Sequence, residues 1–324
     1  MNVFFDKANF LSFIASSKKD KTVYEECNKM LKRECCVKFN FNRNDFLEEE
    51  RLVFDYWIRT ATEGVGDNDA ITWGVQFPPR PISNNTFETL NANQCSSVYL
   101  LDGDDFNKYL KGRGCLMCAS LGEELDCLRT LLINDRDYGR LLSIKELKGW
   151  KDMEKYFSPC TDIVIYDKYI LNSPDLYEYN IFPLLESLCK NARNTDVNIV
   201  IITLRRCNGI EPPREEVREK IRAKIRKKVG KTPNLTIVCA DKVPDHDRFI
   251  FTNYKFIISG DTFNYFKSNN ELETKGRSFS IVSFVDKAYW KQGMVFIDDM
   301  QKFINERETY VIGDKKSRYL KLVK

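Results

Sequence analysis

The sequence predicts an α/β protein with a mixed sheet covered by helices, preceded by a less regular N-terminal domain. From residue 97 onward, short apolar runs such as 163–166 and 197–203 alternate with amphipathic stretches of helical length. Such alternation predicts a parallel or mixed sheet with helices on its faces. Hydrophobic residues make up 43% of the 324 residues and charged residues 30%, which is the balance of a globular chain rather than a disordered one.

The N-terminal part opens with an apolar run, 3–5, which ends at Asp6 and Asn9. A helix is predicted over 21–34. The segment 62–95 is rich in Gly, Asn, Pro and Thr and predicts an ordered loop. Strands are predicted over 97–101 and 115–120, the first followed by Asp102-Gly103-Asp104-Asp105. We expect one domain over residues 1–140, of unknown role, and an α/β domain over 141–324.

The second domain alternates regularly along its length. Apolar runs predict strands over 163–166, 197–203, 235–239, 249–251, 256–258 and 279–284, the fourth and fifth forming a hairpin. Helical spacing predicts helices over 121–132, 143–157, 176–193, 213–229 and 286–306.

Composition excludes several classes of protein. No apolar run reaches the roughly 20 residues that a membrane span requires, and the N-terminus lacks the pattern of a signal peptide. The 11 cysteines are odd in number and scattered, which is typical of reduced thiols, so we expect a cytoplasmic protein that binds no membrane. There is no Walker A loop and no Gly-x-Gly-x-x-Gly, so a nucleotide-triphosphatase has no support.

The single histidine, His246, opens the most informative segment. Arg248 stands two residues later, so both side chains point to one face if a strand begins there. Imidazole attacks phosphorus or transfers protons near neutral pH, and arginine binds phosphate oxygens in pairs. Small residues follow at Ser259-Gly260, with Asn264 beyond, and they suit an oxyanion.

This segment resembles the phospholipase D-like superfamily, in which a His-x-Lys pair is followed by Asp and then by a Gly-Ser/Asn stretch. His246 matches the histidine, Arg248 stands in the lysine position and Asn253 in the aspartate position. The chain is similar to the subset of the superfamily that carries His-Asp-Arg. The strand end Asp167-Lys168-Tyr169 resembles the aspartate–tyrosine strand end that such domains place early in the fold. The resemblance covers roughly residues 143–285.

The resemblance implies a phosphodiesterase or nuclease that needs no metal and no cofactor. It implies that His246 is nucleophile or acid–base, that Arg248 holds the phosphate and that Asn253 and Asp167 support the site. The family mechanism uses two histidines, whereas this chain has one, so a complete site requires a homodimer. Such domains also occur in bacterial defence or mobile-element systems. The alternative is therefore a degenerate module that binds nucleic acid or a partner protein without turnover.

A basic stretch over 213–229 is the second candidate site. Val217, Ile221 and Ile225 form a narrow apolar stripe, and the other faces are cationic. The net charge of +4 does not by itself imply a nucleic-acid partner, but this local cluster is suited to follow a phosphate backbone. The alternative is a solvated helix whose charges are paired in part between Glu and Lys. We expect contact with RNA or DNA through Arg214, Arg218, Arg222, Lys224, Arg226, Lys227 and Lys228.

Two further readings rest on weaker patterns. Asp6 and Asn9 after one strand, with Asp102, Asp104 and Asp105 after another, resemble the carboxylate layout of metal-dependent PIN or NYN-type ribonucleases. Cys115, Cys118 and Cys127 are spaced for thiolate coordination but lack a second well-spaced pair, so zinc is disfavoured.

Overall fold

The chain is represented by a computed structural model. It describes residues 1–39, 41–62, 75–76, 97–100, 116–117, 121–129, 132, 141–143, 147–157, 160–190, 192, 196–206, 212–243, 248–267, 271–272, 278–306 and 309–322. The chain divides into two compact units. The first comprises 1–111, 115–137 and 284–290, and the second comprises 112–114, 138–283 and 291–324.

The first unit contains a parallel five-stranded sheet in the order β3-β2-β1-β4-β5. Its strands are β1 (Asn2–Phe5), β2 (Cys36–Phe39), β3 (Val75–Gln76), β4 (Ser97–Leu100) and β5 (Leu116–Met117). Its helices are α1 (Lys7–Ala15), α2 (Lys21–Glu34), α3 (Glu48–Thr62) and α4 (Glu124–Leu128). Asp6 and Asp20 cap α1 and α2 by accepting the N–H of Asn9 and Val23, which fixes where each helix begins.

The second unit contains an eight-stranded mixed sheet in the order β13-β9-β8-β7-β10-β11-β12-β6. Its strands are β6 (Leu141–Ser143), β7 (Asp162–Tyr166), β8 (Asn198–Leu204), β9 (Asn234–Ala240), β10 (Arg248–Phe251), β11 (Lys255–Ser259), β12 (Ser278–Ser283) and β13 (Thr309–Gly313). Its helices are α5 (Ile181–Leu188) and α6 (Arg214–Val229), and α7 (Lys287–Glu306) begins in the first unit and continues in the second. Strands β7, β8 and β9 are parallel, and the other pairs are antiparallel.

Both faces of the second sheet are apolar, which explains why its central strands read as continuous hydrophobic runs. One face carries Ile165, Ile201 and Ile237 in the core that includes the apolar side chains of α5 and α6. On the other face, Phe249 and Phe256 pack against Phe296 of α7. The central strands are therefore buried on both faces.

The α/β prediction is confirmed, and so is the hairpin, which pairs β10 with β11. The helix predicted over 143–157 is wrong in part, because a 3₁₀ turn occupies only Trp150–Tyr156 and Ser143 belongs to β6. The helix predicted over 176–193 is shorter, Ile181–Leu188. Strand β13 was not predicted, because its side chains are all partly exposed and give no buried-strand pattern. Within the described ranges, no helix has the length and apolar character needed to cross a membrane.

Candidate functional site

The carboxyl ends of β7, β8 and β9 form one end of the second sheet, which we call the carboxyl edge. Phe249 of β10 pairs with Tyr166 of β7, so antiparallel β10 begins where β7 ends. Arg248 and Asp167 therefore lie at the same edge. In the sequence, only the resemblance to the phospholipase D-like superfamily predicted that these two residues lie close together.

Asp167 is completely buried at this edge. One carboxylate oxygen accepts the N–H of Tyr169 at 2.9 Å, and the other accepts the hydroxyl of Thr262 at 2.8 Å and the N–H of Phe263 at 2.7 Å. Burial raises the pKa of Asp167, although these three donors and Arg248 act in the opposite direction. Asp167 therefore positions the segment after β11 against the end of β7 and does not itself face a ligand.

Arg248 lies beside that segment, and only some of its hydrogen-bond donors have an acceptor. Its Nη1 donates to the carbonyl oxygen of Gly260 at 3.0 Å, and its guanidinium lies 5.8 Å from the ring centre of Tyr169. Its Nε is buried and has no hydrogen-bond partner. A buried donor without a partner is uncommon in folded proteins and marks a place where a ligand or ion can supply the acceptor.

Asn264 has a buried acceptor without a hydrogen-bond donor, which complements the unpaired donor of Arg248. Its side chain is 5% exposed, and its Nδ2 donates to the carbonyl oxygen of Tyr169 at 3.0 Å. Its Oδ1 is buried and has no hydrogen-bond partner. Tyr169 is thus contacted by a residue with an unused donor, Arg248, and by one with an unused acceptor, Asn264. A ligand that offers both an anionic oxygen and a hydroxyl or amine matches this pair.

Asn253 is the predicted site residue that the structure separates from the others. It follows the far end of β10, where its Oδ1 accepts the N–H of Thr161 at 2.7 Å and of Asp162 at 3.0 Å. Those residues open β7, whereas Arg248 lies at the carboxyl end of β7. The prediction that Asn253 supports the same pocket is therefore not met, because an antiparallel strand carries its two ends to opposite edges of the sheet. His246 lies outside the described residues.

Two residues predicted to contact nucleic acid point into the protein instead. Arg214 is 4% exposed and donates to the carbonyl oxygens of Leu171 and Leu204 at 2.6 and 2.7 Å. Arg218 is 6% exposed and donates to the carbonyl oxygen of Leu235 at 2.9 Å and to Asp314 at 2.8 Å. The prediction of phosphate contact is wrong for both, because these guanidiniums fasten α6 to the sheet.

The outer face of α6 remains cationic. Arg226 and Lys227 are exposed, whereas Arg222 donates to Glu219 and Lys224 to Glu178. Lys228 is 3.8 Å from Glu154. The helix ends at Gly230 in the left-handed region, with Arg226, Lys227 and Lys228 in its last turn, where cations suit the helix dipole. Much of this positive charge is therefore paired with carboxylates of the protein itself or lies at the negative end of the helix dipole.

The predicted carboxylate and thiol sites fall largely outside the described residues. Asp6 is described, and its N–H donates to the carbonyl oxygen of Leu100 at 3.1 Å, which places it beside the end of β4. Asp102, Asp104, Asp105, Cys115 and Cys118 are not described, while Cys127 carries a free thiol. Across the described ranges, no group of three or more His, Cys, Asp and Glu side chains is arranged to hold a metal ion.

Sequence reasoning assigned no role to Tyr169 or Thr262. The signal for Tyr169 was available, since an aromatic residue follows a lysine just after a buried strand. Nothing in the sequence pairs Thr262 with Asp167, because their hydrogen bond joins residues far apart in the chain.

No family model matches this chain, and no curated protein matches it. Among solved structures, it is similar to TrmBL2, an archaeal chromatin protein described as showing a novel mode of DNA binding. The TM-score is 0.26 and the identity 11%, and the match covers 52% of this chain and 54% of that chain. At this level the likeness defines neither a family nor a function.

Proposed function

We propose that the second unit is a phospholipase D-like phosphodiesterase or nuclease, with its phosphate site at the carboxyl edge. The observation that carries this proposal is the buried Nε of Arg248, which has no hydrogen-bond partner. An arginine whose Nη1 is already fixed to Gly260 can direct Nε toward a phosphate oxygen at little cost in side-chain entropy.

The chemistry follows from the residue types. An imidazole nitrogen of His246 attacks phosphorus, the bond to the leaving oxygen breaks, and that oxygen takes a proton from a second imidazole. Water then hydrolyses the phosphohistidine. Because the chain has one histidine, the second must come from another copy of the chain. Arg248 stabilises the charge that develops on the phosphoryl oxygens, and Asp167 positions the adjoining segment.

The test uses bis-p-nitrophenyl phosphate as a small phosphodiester, with the full chain and with His246→Asn. We expect release of p-nitrophenol by the native protein in the presence of EDTA, loss of that release in the variant, and a dimer by light scattering. Retained hydrolysis in His246→Asn, or a monomer that hydrolyses the substrate, contradicts the proposal. A folded dimer that binds nucleic acid but never hydrolyses a phosphodiester favours the degenerate binding module.

A second candidate is a metal-dependent ribonuclease in the first unit, and one observation favours it. In the order β3-β2-β1-β4-β5, the chain leaves β1 toward β2 on one side while β4 pairs on the other. Asp6 follows β1 at this switch point, where open parallel sheets bind their ligands, and Asp102 follows β4 in sequence. RNA cleavage that EDTA abolishes, that Asp6→Asn abolishes and that His246→Asn leaves unchanged would assign activity to this unit.

A further inference from the structure

Beyond Arg248, the carboxyl edge extends across the ends of neighbouring strands, which form a continuous row. The N–H of Leu204 donates to the carbonyl oxygen of Lys168 at 3.2 Å, and the N–H of Arg205 donates to that of Ala240 at 2.9 Å. Ala240 in turn pairs with Thr309 in β13. The ends of four neighbouring strands are therefore held side by side by backbone hydrogen bonds.

Two exposed tyrosines stand in this row. Tyr169, directly after β7, is 39% exposed, and Tyr310, in the edge strand β13, is 54% exposed. Three strand spacings separate β7 from β13, which amounts to roughly 14 Å. About four stacked nucleotides of one strand span that distance.

Each ring is accompanied by at least one cation. The Lys168 ammonium lies 4.8 Å and the Arg248 guanidinium 5.8 Å from the ring centre of Tyr169, and the Arg205 guanidinium lies 5.7 Å from that of Tyr310. Such contacts orient an exposed aromatic ring while leaving the cation at the surface. The backbone of Tyr169 is also fixed, since its N–H donates to Asp167 and its carbonyl accepts from Asn264. The rings are therefore held in place before any ligand binds.

Among the described residues, basic side chains outnumber acidic ones at the carboxyl edge. Its basic residues are Lys168, Arg205, Arg206, Lys242 and Arg248, and its acidic residues in the described ranges are the buried Asp167, the exposed Asp241 and the half-buried Asp261. A cationic groove with aromatic side chains at intervals is the arrangement that proteins use for single strands. Duplexes do not offer their base faces for stacking, so this surface discriminates against them.

We propose that the carboxyl edge from Tyr169 to Tyr310 is a binding track for single-stranded nucleic acid, whose bases stack on the two tyrosines. The track deepens the proposed function, since it leads a strand to Arg248. It names the substrate class as an unpaired strand rather than a duplex.

The test measures fluorescence anisotropy of a labelled oligothymidylate, alone and annealed to oligoadenylate, with the full chain made inactive by His246→Asn. We expect the single strand to bind more tightly than the duplex. Tyr169→Ala and Tyr310→Ala are each expected to weaken single-strand binding by roughly five- to hundredfold, the loss of one base stacking contact. Tyr310→Phe, which keeps the ring, should retain it.

Tyr289→Ala is the matched control, because Tyr289 is 38% exposed but belongs to the first unit and not to the carboxyl edge. Arg206→Gln should lower the dependence of affinity on salt, whereas Tyr310→Ala should leave that dependence unchanged. Unchanged affinity in both tyrosine-to-alanine variants, or equal affinity for duplex and single strand, overturns the track. If the native chain nevertheless hydrolyses bis-p-nitrophenyl phosphate, the track alone is wrong. If the strand binds as expected and nothing is hydrolysed, the phosphodiesterase proposal alone is wrong.

Discussion

The two ends of the second sheet hold similar polar side chains in opposite states. At the carboxyl edge, Arg248 and Asn264 each keep a buried atom without a hydrogen-bond partner. At the other end, which we call the amino edge, each side-chain oxygen and nitrogen of Asn253 and Asp162 has a hydrogen-bond partner. Although both edges belong to the same strands, the edges differ in how completely these polar side chains are hydrogen-bonded within the protein.

The amino edge is a continuous network. Asp162 accepts the Nδ2 of Asn198 at 2.9 Å and lies 3.2 Å from Arg318, and Asn198 in turn accepts from Asn234 at 2.9 Å. Each of these residues sits at the start of a strand or fastens one. The network therefore fastens the starts of the parallel strands to one another.

The largest effect expected on stability is that of Asn253→Ala. It leaves two buried N–H groups, those of Thr161 and Asp162, without an acceptor, and each costs about 1–3 kcal/mol. We expect the free energy of unfolding in urea to fall by about 2–6 kcal/mol. Asn264→Ala, in which only one hydrogen bond is lost, should cost less than about 2 kcal/mol. Equal losses for the two variants would erase the distinction between the edges.

The same substitution at two arginines provides the next comparison. Arg248→Gln should weaken oligothymidylate binding by roughly ten- to hundredfold, since a charge-assisted hydrogen bond is worth about 1.5–3 kcal/mol, with little change in unfolding free energy. Arg318→Gln should do the reverse, because it leaves the buried Asp162 without its cation and keeps the carboxyl edge intact. Anisotropy and urea denaturation measure the two quantities. If only Arg318→Gln loses affinity for oligothymidylate, the ligand binds at the amino edge, which contradicts the prediction.

The sequence was sufficient for the six inner strands of the second sheet and for part of the site. Apolar runs located the central strands because both faces of the sheet are buried, and the hairpin followed from two such runs around Asn253. Spacing along the chain could not tell that Asn253 and Arg248 occupy opposite edges, because this depends on which strand pairs with β10. The inward direction of Arg214 and Arg218 was equally hidden, since their acceptors are backbone carbonyls of distant segments.

The smallest expected effect is a difference in the sign of pH dependence between two aspartates. At the amino edge, burial acts to raise the pKa of Asp314, but the N–H of Leu235 and the Arg218 guanidinium hold the pKa below its usual value. Its contribution to stability is therefore present above the unfolded pKa of about 3.9 and is lost as the pH falls through the folded value. Because this carboxylate is partly open to solvent, we expect less than about 1 kcal/mol.

Asp167 should show the opposite slope. Its pKa is raised by burial, so the folded state holds the proton more tightly and stability declines as the pH rises from about 3.9 through the folded pKa. The readout is the trend with pH, in urea unfolding, of the difference between each Asp→Asn variant and the native chain. The penalty of Asp314→Asn should shrink on acidification, whereas that of Asp167→Asn should shrink as the pH rises. Parallel trends would mean that the pKa values of the two aspartates are shifted in the same direction, which would contradict this prediction.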